Sequence, residues 1–160
     1  MELFCTFQDI KRMKIVEVSC PISYEELKEK MGLSDDQELE FIVVSSTDDL
    51  ISENDSLDTI NEFAEMIEDV DDDLVFAVNE SLGYTAKKIL CEGEDFFERC
   101  TLLSDVDSQR ELGEHIVDGI GISNLDKDTL ESYFDYEAYG RDMDINNTGG
   151  FTSYGYLQVS

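Results

Sequence analysis

Residues 56–70 read SLDTINEFAEMIEDV, and their periodicity decides how the middle of the chain is built. At about 100° per residue, Leu57, Ile60, Phe63, Ala64 and Ile67 fall within a sector of roughly 120°. Asp58, Glu62, Glu65 and Asp69 fall in a narrower sector nearly opposite. The pattern predicts an amphipathic helix from about Ser56 to Val70, with its acids stepped by about 4.5–6 Å along the axis. Helices ordinarily soften such a row with cations one turn away. This one has none. A row of carboxylates at that spacing resembles a row of phosphates, and it also suits an ordinary solvated helix face.

The same bias extends on both sides. From Met31 to Ala86 there are seventeen Asp and Glu and no Lys or Arg. A second helix is expected around Leu74, Val75, Val78 and Leu82, ending near Gly83, and a short one at Phe96, Phe97 and Cys100. Residues 47–100 therefore read as a central acidic helical domain. Before it, Leu3, Cys5 and Phe7 alternate as in a strand, Ile15 to Val18 offer a second, and Glu40 to Val44 a third. Between them Pro21, then Ser23 and Glu26 in capping-box spacing, start a helix through Leu27 and Met31 that stops near Gly32. Residues 1–46 form a small α+β domain on this reading. After the middle, Leu112 and Ile116 mark a helix ending near Gly119–Gly121, and an apolar-aromatic segment runs from Leu125 to Tyr139. Residues Met143 to Val159 read as two strands around Asn146-Asn147-Thr148-Gly149-Gly150. Residues 101–160 are thus a C-terminal α+β domain, and the fold class is α+β.

Composition supports folding. The 160 residues are 41% hydrophobic and include nine Phe and seven Tyr, whereas acidic disordered chains are poor in aromatics. The charge is the unusual quantity: 39 carboxylates against 11 Lys and Arg give −28. Self-repulsion of that size works against the compact state. A folded chain of this mass exposes roughly 8,000 Å², which makes one net charge per roughly 290 Å² on average. A DNA duplex carries one per roughly 100 Å² of its cylinder. The chain approaches that density only where its acids are concentrated. The candidate surface is accordingly Asp48, Asp49, Glu53, Asp55, Asp58, Glu62, Glu65, Glu68, Asp69, Asp71, Asp72, Asp73, Glu80, Glu92, Glu94, Asp95 and Glu98.

Other chemistry finds little support. The start, MELFCTFQDI, has no charged n-region or long apolar core, and nothing later approaches a membrane span; a cytoplasmic protein with no membrane contact is expected. Cys5, Cys20, Cys91 and Cys100 lack CxxC spacing and read as reduced, mostly buried thiols. Asp69, Asp71, Asp73 and Glu80 match positions 1, 3, 5 and 12 of a calcium loop, but position 6, which needs Gly, is Leu74. His115 is the single histidine and has no nucleophile motif near it. Gly119-Ile120-Gly121 lacks the third glycine of a dinucleotide loop. The basic cluster Lys11, Arg12 and Lys14 is too small to hold nucleic acid against the acidic field. No catalytic residue, cofactor or metal is expected, and no direct binding of nucleic acid.

The segment Tyr133-Phe134-Asp135-Tyr136-Glu137-Ala138-Tyr139-Gly140-Arg141-Asp142-Met143-Asp144 closely resembles the signature of the ArdA antirestriction proteins. A weaker match is the helix from Tyr24 to Leu33, and the resemblance covers roughly half the chain. It implies an elongated chain of three small domains, acting as a non-enzymatic DNA mimic that occupies the DNA path of a type I restriction–modification enzyme. It also implies carriage by plasmids, transposons or phages, action in the host cytoplasm, and a homodimer joined through the C-terminal domain. Phe134, Asp135, Tyr136, Glu137, Ala138, Tyr139, Arg141 and Asp142 are then the motif, serving the fold or the dimer. Arg141, flanked by Asp135, Glu137, Asp142 and Asp144, is expected to be an ion-pair hub. Between the first two strands the chain departs from the family pattern, with basic Gln8 to Lys14 replacing an Asn/Gly/Trp-containing stretch. Two alternatives stay open: a mimic aimed at another DNA-binding defence enzyme such as a CRISPR effector, and an acidic adaptor for basic proteins.

Overall fold

A computed structural model describes residues 1–120 and 127–160 of the chain. Strands β1 (Leu3–Asp9) and β2 (Ile15–Cys20) form an antiparallel hairpin, with Cys5 opposite Val18, and β3 (Phe41–Ser46) pairs with the other side of β1. The sheet order is β2-β1-β3. Alternation works as expected, burying Leu3, Cys5 and Phe7 on one face. Helix α1 (Tyr24–Lys30) carries the full capping box: Ser23 accepts from the Glu26 backbone N–H, and the Glu26 carboxylate accepts from the Ser23 N–H. Asp9, at the end of β1, is wholly buried. Its carboxylate accepts from the Lys11 N–H at 2.8 Å, the Arg12 N–H at 3.3 Å and Arg12 Nη1 at 2.7 Å. Burial pushes the carboxyl up. The Arg12 guanidinium and the two backbone N–H groups outweigh that push and hold it below the usual carboxylate range.

The acidic helix α2 spans Leu57–Met66, with Ser56 as its N-cap, and buries Ile60, Phe63 and Ala64. It ends four residues before the expected Val70. Glu65, Glu68 and Asp69 crowd the negative end of the helix dipole with no cation to offset them, and the backbone turns there through a Val70 N–H to Ile67 carbonyl bond. Helix α3 (Asp72–Leu82) has Asp71 as its N-cap and left-handed Gly83 as its C-cap. Leu74 lies inside that helix, so residues 69–80 do not form a calcium loop. Helix α4 (Ala86–Glu92) corresponds to no element expected from sequence. The short helix expected at Phe96–Cys100 is instead a single 3-10 turn, Phe97–Arg99, leading into strand β4 (Cys100–Leu103).

Helix α5 (Gln109–Ile120) matches the reading around Leu112 and Ile116, while Gly121 and Leu125 lie outside the described residues. Helix α6 spans Lys127–Tyr133 and α7 spans Tyr136–Asn146. Strands β5 (Thr148–Thr152) and β6 (Gly155–Val159) complete a second sheet of order β4-β6-β5. The expected tail is corrected in two ways. Residues 143–146 are helical, and the strands reverse at Ser153-Tyr154 rather than at Asn146–Gly150. Gly149 lies in β5 with φ 123°, and a Cβ there would stand 2.1 Å from the Leu157 carbonyl oxygen. That glycine serves close strand approach, not a turn. A single apolar cluster joins the first sheet, α1, α2, α3 and α4, and reaches Cys100 and Leu157 of the second sheet. A smaller one gathers Val106, Leu112 and Tyr156. Cys5, Cys20 and Cys100 are buried free thiols, and Cys91 is exposed.

Candidate functional site

The seventeen carboxylates of the candidate surface separate into two groups by what they touch. Six are engaged within the chain. Asp55 accepts from the Ser52 N–H at 2.8 Å, and Asp71 accepts from the Asp73 N–H at 3.0 Å. Asp72 faces the Met1 amine at 3.5 Å. Glu80 accepts from the Ser153 N–H at 2.9 Å and from its Oγ at 2.6 Å, fastening α3 to the β5–β6 turn. Asp95 meets Arg99 at 3.7 Å. Glu92 bonds Lys88 one turn earlier, and that ammonium holds its carboxyl below the ordinary range.

The other eleven are all exposed and form no side-chain hydrogen bond or ion pair among the described residues: Asp48, Asp49, Glu53, Asp58, Glu62, Glu65, Glu68, Asp69, Asp73, Glu94 and Glu98. Helix α2 presents Asp58, Glu62 and Glu65, and the turn after it presents Glu68 and Asp69. The amphipathic pattern positions them, because burying Ile60, Phe63 and Ala64 fixes which side meets water. Asp48 and Asp49 follow β3 with φ of 49° and 53°. Consecutive left-handed residues without glycine are strained, although Asp tolerates the region better than most. The strand end is tied by Thr47 Oγ1, which accepts from the Phe4 N–H at 3.0 Å, and by Ser46 Oγ, which accepts from the Ile51 N–H at 3.0 Å. No sequence signal announced that backbone.

The signature segment is largely internal support. Asp135 caps α7, accepting from the Ala138 N–H at 2.9 Å. Tyr136 is buried, with Phe134 edge-on to it at 5.0 Å and to Tyr139 at 5.4 Å. Phe134, Ala138 and Tyr139 are half-buried, while Glu137 and Asp142 are exposed. Gly140 is the residue whose role the motif reading missed. A Cβ on it would stand 1.7 Å from the Gln109 carbonyl oxygen, and one on Gly113 would stand 2.1 Å from the Tyr136 carbonyl oxygen. Helices α5 and α7 therefore touch backbone to backbone at these two glycines. Arg141 is exposed and forms no ion pair among the described residues, so it is not the hub that its acidic neighbours suggested.

Chemically, this arrangement offers fixed, hydrated negative charge. No group of three or more His, Cys, Asp or Glu among the described residues is placed to hold a metal ion. No helix among them is long and apolar enough to cross a membrane. A protein-family model described as antirestriction protein (ArdA) matches residues 16–158, well beyond the signature segment. No curated protein matches the chain.

Proposed function

The chain belongs to the ArdA family of antirestriction proteins, and from that premise we propose that it acts as a DNA mimic. It binds the DNA path of a type I restriction–modification enzyme and competes there with duplex DNA. The observation that carries the reading is the set of eleven exposed, unengaged carboxylates, five of them on α2 and the turn after it, within a chain of net charge −28. A groove built to bind phosphates presents Lys, Arg and backbone N–H donors. Hydrated carboxylates with no internal partner can meet those donors without first breaking a bond inside the chain. The six engaged carboxylates would have to give up such bonds, so Asp58, Glu62, Glu65, Glu68 and Asp69 take the larger part.

The three-part division at residues 46 and 100 belongs to the same proposal, as does a homodimer formed through residues 101–160. Phe134 and Tyr139, only half-buried in the single chain, leave apolar area for that contact. A pull-down from a host carrying a type I system tests the function. Retention of its specificity and modification subunits is the expected result, and a pull-down that recovers other basic proteins but none of these subunits contradicts it.

A further inference from the structure

An apolar stripe fixes the rotation of a helix only loosely. Burial of Ile60, Phe63 and Ala64 is non-directional; it decides which side of α2 meets water and leaves the finer angle open. A rotation of about 30° would carry a carboxylate at a radius of about 6 Å through roughly 3 Å. That is as long as the hydrogen bond such a group has to make. A directional contact therefore has to set the angle at which Asp58, Glu62, Glu65 and Asp69 stand.

Asn61 makes that contact. At about 100° per residue it falls between the apolar stripe and the acidic row. Its Oδ1 accepts from the Ile22 N–H at 2.9 Å, and its Nδ2 donates to the Ile22 carbonyl at 2.8 Å. Ile22 is buried, between Cys20, the last residue of β2, and Ser23, the cap of α1. Neither of its backbone groups bonds another backbone group among the described residues, so the Asn61 amide takes the place of a neighbouring strand. Apart from the bonds of Thr59 to the N-cap Ser56, these are the only side-chain hydrogen bonds from α2 to another part of the chain among the described residues. Two bonds in one plane define both the rotation and the axial position of the helix, which a single bond would not. The chemistry is particular to an amide. A carboxylate could accept from the Ile22 N–H but would set its second oxygen against the Ile22 carbonyl.

We propose that Asn61 is a positioning residue for the acidic face, holding α2 at the rotation in which its carboxylates meet the target's cations. This rests on the DNA-mimic reading and adds to it a residue that carries no charge. It also reverses what charge alone predicts, because one more carboxylate beside the acidic row, at position 61, weakens binding to a basic groove instead of strengthening it.

The test measures binding of the full chain to a purified type I methyltransferase complex over a range of salt concentrations. The chains compared are the wild type, Asn61→Asp, Asn61→Ala and Asn79→Ala. If charge alone governed binding, Asn61→Asp would bind at least as tightly as the wild type, with a salt dependence at least as steep. Positioning predicts roughly tenfold weaker binding and a shallower salt dependence in both Asn61 variants, as fewer carboxylates reach their donors. Asn79→Ala is the stability control. It loses the bond to the Tyr84 carbonyl at 3.1 Å, at the end of α3, and should lower Tm while keeping the wild-type salt dependence. A smaller folded fraction scales the affinity without changing which charges meet. A folded Asn61→Asp that binds like the wild type or tighter overturns the proposal and leaves the mimic standing. Weaker binding with the wild-type salt dependence, the pattern of the control, overturns it as well. Where Asn61→Asp does not fold, Asn61→Ala decides by the same salt dependence, and loss of the folded state in both makes Asn61 a stability residue and overturns the positioning role. A wild-type chain that does not bind the complex overturns the mimic reading, and the positioning role with it.

Discussion

Gly140 carries no side chain, and the crossing of α5 and α7 depends on that. An added methyl would stand 1.7 Å from the Gln109 carbonyl oxygen, and backbone on both sides leaves nothing flexible to yield. Gly140→Ala should therefore destabilise the fold by about 3 kcal/mol in urea unfolding, near the upper end of overpacking costs. Gly119, on the same helix as Gly113, meets nothing within 4 Å. Gly119→Ala should be neutral or stabilising by up to ~1 kcal/mol, and equal losses at the two sites would contradict the close-approach account. Asp9 offers a test of different sign. Its folded-state carboxyl lies below its ordinary range, so its contribution is present above the unfolded value of about 3.9 and is lost as pH falls through the folded value. Asp9→Asn should melt lower than the wild type at neutral pH, with the gap closing as the pH drops below that range. A gap that widens in acid would contradict the assignment. Asp9 reads in the sequence as one acid among many, because its burial depends on a loop that folds back over it.

At the scale of elements, what the sequence made legible was local. The capping box at Ser23 and Glu26 and the apolar stripe of α2 are contained within a few turns, and both appear as read. Strand β4 was not legible, because its partner is β6, with Cys100 opposite Val159, and its four residues give no alternation long enough to count. The glycines misled for a related reason: Gly149 and Gly150 look like a turn until the partner strand is placed beside them. The split of the candidate acids into engaged and unengaged groups was not legible, since the bond from Ser153 that engages Glu80 links residues 73 apart in sequence. Neutralising Asp58, Glu62, Glu65 and Asp69 together, as Asn or Gln, should weaken inhibition of restriction at least tenfold, by the arithmetic of several lost charge contacts. Relief of like-charge repulsion should leave the melting temperature unchanged or higher. Undiminished inhibition by a folded quadruple variant would remove this face from the mechanism.

The whole molecule carries −28 over an accessible surface of 9369 Å², one net charge per about 330 Å², sparser than duplex DNA at roughly 100 Å². Average charge alone therefore does not make a duplex, and the proposed mimicry rests on the placement of the unengaged carboxylates. Two chains together would match the charge on roughly 95 Å of duplex axis at one charge per ~1.7 Å, a length suited to an enzyme that grips an extended site, with two-fold symmetry suited to paired recognition half-sites. Light scattering at micromolar concentration should accordingly give twice the mass of the 18.2 kDa chain; a monomer would remove the dimer and leave the mimic. The most direct test of the central claim is displacement. Labelled duplex is bound to a type I methyltransferase complex, and the chain is titrated in while duplex release and ternary complex are both monitored. Competitive occupancy predicts full release of the duplex, with no binding of duplex by the chain itself. A complex that holds the chain and the duplex at the same time would contradict it.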